Sequence, residues 1–162
     1  MKTFALIGYP LGHSMSPVIH KELMKTAGIE GSYELIEIAP ENLADKFEEL
    51  KKFDGFNVTI PHKISIIPFL DKVNERAELF GAVNTVKVGK EITGYNTDCF
   101  GFLRALEMAD IKLEGSTLVC GAGGVARMFA FECALADCNL TIAVRDDDLA
   151  AGLSLIHISE PT

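Results

Sequence analysis

Apolar residues fall in short runs along this chain, and the runs switch repeatedly between the period of a strand and the period of a helix. Thr3 to Gly8 is an apolar run of strand length. Pro17 then opens a helix in which Val18, Leu23 and Met24 supply apolar positions before Gly28 ends it. Tyr33 to Ile38 alternates as a strand, Pro40 to Lys51 reads as a charged surface helix, and Gly55 to Ile60 is a strand stopped at Pro61. A helical stretch near Lys72 to Phe80 precedes two short strands, Ala82 to Val88 and Glu91 to Tyr95, joined by the turn Gly89-Lys90. Phe100 to Met108 is helical again. This alternation predicts an α/β fold, a mainly parallel sheet flanked by helices.

The composition turns polar at Asp110 to Ser116, and a second unit begins there: strand Thr117 to Cys120, a glycine loop, a helix to about Ala136, and strand Leu140 to Val144. The expected domains are therefore 1–110 and 111–151. In the loop Gly121-Ala122-Gly123-Gly124-Val125-Ala126, Gly121, Gly123 and Ala126 fit G-x-G-x-x-A between a strand and a helix. Glycines there let backbone approach a pyrophosphate, and the helix N-terminus favours its charge. Tight strand-to-helix packing is the alternative reading. A complete dinucleotide domain needs two β-α-β-α-β halves, and the chain ends soon after the second strand of the first half. The expectation is thus a truncated start of a Rossmann-like dinucleotide-binding domain. Residues 152–162 alternate like a strand where a helix is due, resemble translated adaptor or out-of-frame sequence, and read as a non-native tail.

With 162 residues, 48% of them apolar, the chain can bury a sizeable core. A net charge of −8 argues against a nucleic-acid surface, which needs clustered Lys and Arg, so an anionic ligand must be held by local groups. No apolar run approaches a membrane span, the N-terminus reads as a first strand rather than a signal peptide, and the cytoplasm is the default location. Cys99, Cys120, Cys133 and Cys138 include no C-x-x-C pair and have apolar neighbours, which favours buried reduced thiols over a metal site.

Four polar clusters sit at element ends: Gly12-His13-Ser14-Met15-Ser16-Pro17, Asn57-Val58-Thr59-Ile60-Pro61-His62-Lys63, Gly81-Ala82-Val83-Asn84-Thr85 and Asn96-Thr97-Asp98. Gathered at one sheet edge they would form a small polar pocket. Together they resemble shikimate dehydrogenase, whose substrate domain carries G-x-x-x-x-H-S-x-S-P, N-V-T-x-P-x-K, G-A-x-N-T and N-T-D-x-x-G in this order. The resemblance covers roughly residues 4 to 145. It implies reversible NADPH-linked reduction of 3-dehydroshikimate to shikimate on the route to aromatic amino acids.

The same resemblance makes Ser14 and Ser16 substrate-binding hydroxyls, although either could simply cap the helix opened by Pro17. It makes Lys63 the catalytic lysine, a proton donor to the reduced ketone, against the ordinary reading of a solvated charge. Asp98 is the second catalytic residue, expected to bind a substrate hydroxyl and hold Lys63, with an N-cap as its alternative. Thr59 and Asn84 match positions that bond the ring hydroxyls, and strand-end satisfaction is their alternative. On the cofactor side stand Gly121 to Ala126, Arg145 and Glu75, the last equally readable as a solvated helix charge. His13 and His62 flank the site and receive no catalytic role.

The sequence departs from the family at Val144-Arg145-Asp146, where NADP-using members commonly show Asn-Arg-Thr. The family resemblance implies NADP as the cofactor, and NAD is the alternative, because a carboxylate beside Arg145 repels a 2′-phosphate and suits a ribose hydroxyl. An NAD-dependent quinate/shikimate dehydrogenase is accordingly a second reading. A non-catalytic substrate-binding fragment or gene remnant is a third. Oligomeric state stays open.

Overall fold

The computed structural model describes residues 1–121 and 123–144. They group by packing into two compact units, Met1–Asn96 and the residues from Thr97 onward. The change of unit falls ahead of the polar stretch near residue 110, because the helix Asp98–Met108 packs with the second unit through Phe102, whose ring lies 4.5 Å from that of Phe129.

The first unit is built on a six-stranded sheet in the order β2-β1-β3-β5-β6-β4. Its strands are β1 (Lys2–Gly8), β2 (Gly31–Glu37), β3 (Gly55–Val58), β4 (Lys72–Val73), β5 (Thr85–Lys87) and β6 (Thr93–Tyr95). Helices α1 (Ser16–Thr26), α2 (Leu43–Leu50), α3 (His62–Ser65) and α4 (Glu75–Phe80) intervene, with 3₁₀ turns at Pro40–Asn42 and Ile67–Phe69. β1 pairs in parallel with β2 and β3, whereas β5 runs antiparallel to both β3 and β6. The tight Gly89-Lys90 connection allows only an antiparallel β5–β6 pair. The helical reading of Lys72 to Phe80 is corrected at its start, because Lys72 and Val73 pair with Thr93 and Gly94 before α4 begins.

Alternation along the central strands sorts residues onto two faces. Ala5, Ile7, Phe56, Val58 and Val86 point into a core closed by Leu43, Phe47 and Leu50 of α2. The segment read as a charged surface helix therefore carries a buried i, i+4, i+7 stripe. On the opposite face stand Phe4, Tyr33, Asn57 and Thr85, lining an apolar groove together with His20 and Leu23 of α1. α1 buries none of its residues fully, and Val18 and Leu23, expected as its apolar anchors, are more than half exposed.

The second unit is a parallel pair, β7 (Ser116–Cys120) and β8 (Asn139–Ala143), with helices α5 (Asp98–Met108) and α6 (Gly124–Leu135). Its β-α-β order is the one expected from the glycine loop. Cys99 and Cys133 are buried, but Cys120 is exposed and Cys138 partly so, which corrects the expectation of four buried thiols. The end of β7, unlike its buried Val119, lies open.

Candidate active site

The chain leaves β1 toward β2 on one side, and the strand on its other side, β3, is reached only after a return crossing. Ligands of open α/β sheets bind beyond the carboxyl ends of the strands at such a reversal. Backbone bonds tie this edge together past the strands themselves. Thr59 N–H donates to Ile7 O at 2.9 Å, Tyr9 N–H to Ile60 O at 2.9 Å, and Ile38 N–H to Gly8 O at 3.0 Å. Gly8 is small because of this closeness: a Cβ on it would stand 2.5 Å from Thr59 Cγ2 and 2.9 Å from Ile60 O.

From β1 the chain turns at Leu11, whose N–H donates to Glu37 Oε1 at 2.6 Å and whose carbonyl accepts from Ser14 N–H at 3.0 Å. Ser14 Oγ then accepts from Ser16 N–H at 3.3 Å. Met15 occupies the N-cap and Pro17, without an N–H, sits in the first turn, so the serine loop hands one helical donor to Ser14 while its O–H remains a donor. The capping and ligand-binding readings of Ser14 are compatible. A cleft of about 370 Å³ opens here, lined by Leu6, Leu11, His13, Ser14, Ser16 and Thr59. Three of the expected substrate-binding residues thus share one space.

Lys63 and Asn84 are fastened to the same edge by backbone, though neither lines that cleft. His62 N–H donates to Thr59 O at 2.8 Å to start α3, and Lys63 O accepts from Val83 N–H at 2.7 Å, which ties the Lys63 backbone to the segment just before Asn84. Asn84 is buried, takes Val58 N–H on its carbonyl at 2.8 Å, and receives Thr85 Oγ1–H on Oδ1 at 3.0 Å. His62 is fully buried with Nε2 2.6 Å from Ile38 O, a structural contact. Glu75 is exposed in the first turn of α4.

Asp98 belongs to the second unit, where it is the first residue of α5; Thr97 holds the cap position, which removes the N-cap reading. A carboxylate in a first helical turn is favoured by the helix dipole. In the glycine loop, Gly121 has φ +112, a value side chains rarely adopt, and its N–H donates to Ala143 O at 2.8 Å. Gly123 caps the twelve-residue helix α6, and a Cβ there would meet nothing within 4 Å. The loop thereby presents open backbone at a helix N-terminus, the arrangement that fits a dinucleotide pyrophosphate. Val125 and Ala126 lie in the first turn of α6. Ala122 and Arg145 lie outside the described residues.

Several residues that shape the site carried no assignment in the sequence reading. Glu37 fixes the serine loop, Gly8 admits Thr59, and Tyr33 Oη donates to Asn57 Oδ1 at 2.7 Å. Burial pushes the Tyr33 phenol up to about 12 against a hydrogen-bonding pull from Ser16. Asn57 held the one available signal, an amide in an otherwise apolar central strand. Among the described residues no group of His, Cys, Asp or Glu is placed to hold a metal ion, and no helix is long and apolar enough to cross a membrane.

Sheet, switch-point cleft and glycine loop define an α/β protein with a polar cleft in its first unit and a glycine loop at a helix N-terminus in its second. A family model of the shikimate dehydrogenase substrate binding domain matches residues 6–86, and the chain belongs to the shikimate dehydrogenase family. A shikimate dehydrogenase (NADP(+)) of Oceanobacillus iheyensis is 53% identical over 131 residues, 75% of this chain and 47% of the relative. The crystal structure of shikimate 5-dehydrogenase from Thermus thermophilus in complex with shikimate superposes with a TM-score of 0.86 at 39% identity, covering 93% of this chain and 60% of that one. That of the Listeria monocytogenes enzyme with shikimate and NAD does so with 0.81 at 34%, covering 93% and 54%. The chain spans about half the length of the curated relatives it matches.

Proposed function

We infer that this chain carries the substrate-binding part of an NADP-dependent shikimate dehydrogenase, acting in the cytoplasm on the route to aromatic amino acids. The observation that carries the reading is the meeting of Ser14, Ser16 and Thr59 on one cleft at the switch point. Hydroxyls suit the carboxylate of shikimate in an acidic chain, since they donate without adding charge. Asn84 bonds a ring hydroxyl. Lys63 Nζ gives its proton to the carbonyl oxygen of 3-dehydroshikimate as the carbon is reduced, and takes it back when shikimate is oxidised. Its ammonium also stabilises the charge developing on that oxygen. Asp98 accepts from a substrate hydroxyl.

Gly121 to Ala126, together with Arg145 and Glu75, would hold the cofactor. Bound NADPH supplies the hydride. NAD is the second reading, favoured by Asp146 next to Arg145. The test joins residues 1–144 to the remaining part of the Oceanobacillus iheyensis relative and follows absorbance at 340 nm with shikimate and either NADP or NAD. Shikimate-dependent reduction of NADP, lost in Lys63→Ala, is expected; a folded hybrid that is inert, or active with Lys63→Ala at full rate, overturns the assignment.

A further inference from the structure

A chain of side-chain hydrogen bonds runs from Tyr33 on β2 to Asn84 across the face of the sheet. Tyr33 stands on β2 with its ring stacked on His20 of α1, centroids 4.1 Å apart and planes 9° from parallel. Its Oη donates to Asn57 Oδ1 at 2.7 Å. Asn57 Nδ2 donates to Thr85 Oγ1 at 3.2 Å and lies 3.4 Å from Asn84 O. Thr85 Oγ1 then donates to Asn84 Oδ1 at 3.0 Å.

In the structure each link runs one way. A phenol has one O–H, and it is spent on Asn57 Oδ1; that fixes which end of the Asn57 amide faces Thr85, and Thr85, taking an N–H on oxygen, points its own proton at Asn84 Oδ1. Asn84 is thereby turned so that its oxygen faces Thr85. The strand register makes the relay compact, since β1 pairs Phe4 with Tyr33 and β3 pairs Asn57 with Thr85. The phenol, with burial pushing it up to about 12, holds its proton throughout the neutral range, as an ordinary tyrosine does.

We propose that Tyr33 is a positioning residue: through Asn57 and Thr85 it sets the orientation of the Asn84 side chain, and so the ring-hydroxyl selectivity of the site. This rests on the reading of Asn84 as a shikimate ligand. Tyr33 acts through its neighbours, Asn57 on this path and Ser16, which also hydrogen-bonds the phenol.

The test uses the chain itself, as wild type, Tyr33→Phe, Thr85→Val and the double variant. Tyr33→Phe keeps the ring on His20 and removes only the oxygen. Without ligand, the Asn84 side-chain NH₂ resonances are expected to move in Tyr33→Phe and in Thr85→Val, with the rest of the amide spectrum retained. With shikimate, each single variant is expected to bind about 3–10-fold more weakly, the loss of one oriented hydrogen bond, and the double variant no more weakly than Thr85→Val. Unmoved Asn84 resonances in Tyr33→Phe overturn the proposal whether or not ligand binds, and so do losses that multiply in the double variant. Absence of shikimate binding by wild type refutes the ligand reading instead, and the Asn84 resonances still decide the relay.

Discussion

Gly8→Ala probes the packing that forms the site edge. The new methyl carbon stands 2.5 Å from Thr59 Cγ2, 2.8 Å from Leu11 Cδ2 and 2.9 Å from Ile60 O. Ordinary contact begins near 3.4 Å, so these atoms must retreat by roughly 0.5–0.9 Å. Thr59 and Leu11 have side-chain torsions to spend, but Ile60 O is backbone and is already held by Tyr9 N–H at 2.9 Å. The expected cost is that of overpacking, about 1–3 kcal/mol, and with a urea slope of about 1–2 kcal/mol/M the unfolding midpoint falls by about 1 M. The chain has three tyrosines, Tyr9, Tyr33 and Tyr95, and no tryptophan, so tyrosine fluorescence reports the first unit alone. Gly12→Ala is the control, because a Cβ there meets nothing within 4 Å. A Gly8→Ala midpoint equal to that of Gly12→Ala would refute the reasoning.

His62→Phe leaves the buried Ile38 carbonyl without its 2.6 Å partner and is expected to cost about 1–3 kcal/mol in the same urea experiment. Because the folded Tyr33 phenol titrates at about 12, above the ordinary tyrosine value, its stabilising share is whole below about pH 10 and is lost as pH rises through 12; Tyr33→Phe should flatten that alkaline loss of stability. Asp54 is held below the usual carboxylate range, first by Lys2 and then by Thr3 N–H, so its contribution is present above about pH 4 and fades as pH falls further; Asp54→Asn should remove that part of the acid sensitivity. The chain as it stands should show little turnover with shikimate and either NADP or NAD, a result checked by mass-verified protein at 340 nm; turnover matching a full-length relative would contradict it.

The strands and most helices were legible because their signals are local. The period of Thr3 to Gly8, the Pro17 and Gly28 boundaries and the glycine loop all depend on neighbours in sequence. What escaped depends on pairing. The two-residue β4 exists only against β6, and the buried stripe of α2 hides among charges until Leu43, Phe47 and Leu50 are seen to meet one sheet face. Motif order singled out Ser14, Ser16 and Thr59, and these three share one cleft. It could not show Gly8, whose need is a 2.5 Å approach from a residue 51 positions away, nor the Tyr33–Asn57 bond across 24. The apolar positions expected for α1, Val18 and Leu23, are more than half exposed, and the helix buries none of its residues fully.

The central claim is that the switch-point cleft binds shikimate. Titration of ¹⁵N-labelled chain with shikimate tests it at residue resolution. The account predicts shifts concentrated at Gly12 to Ser16, Thr59 to Lys63 and Val83 to Thr85, abolished in Ser14→Ala/Ser16→Ala. Shifts confined to the apolar groove around His20 and Leu23, or none at millimolar shikimate, would contradict it.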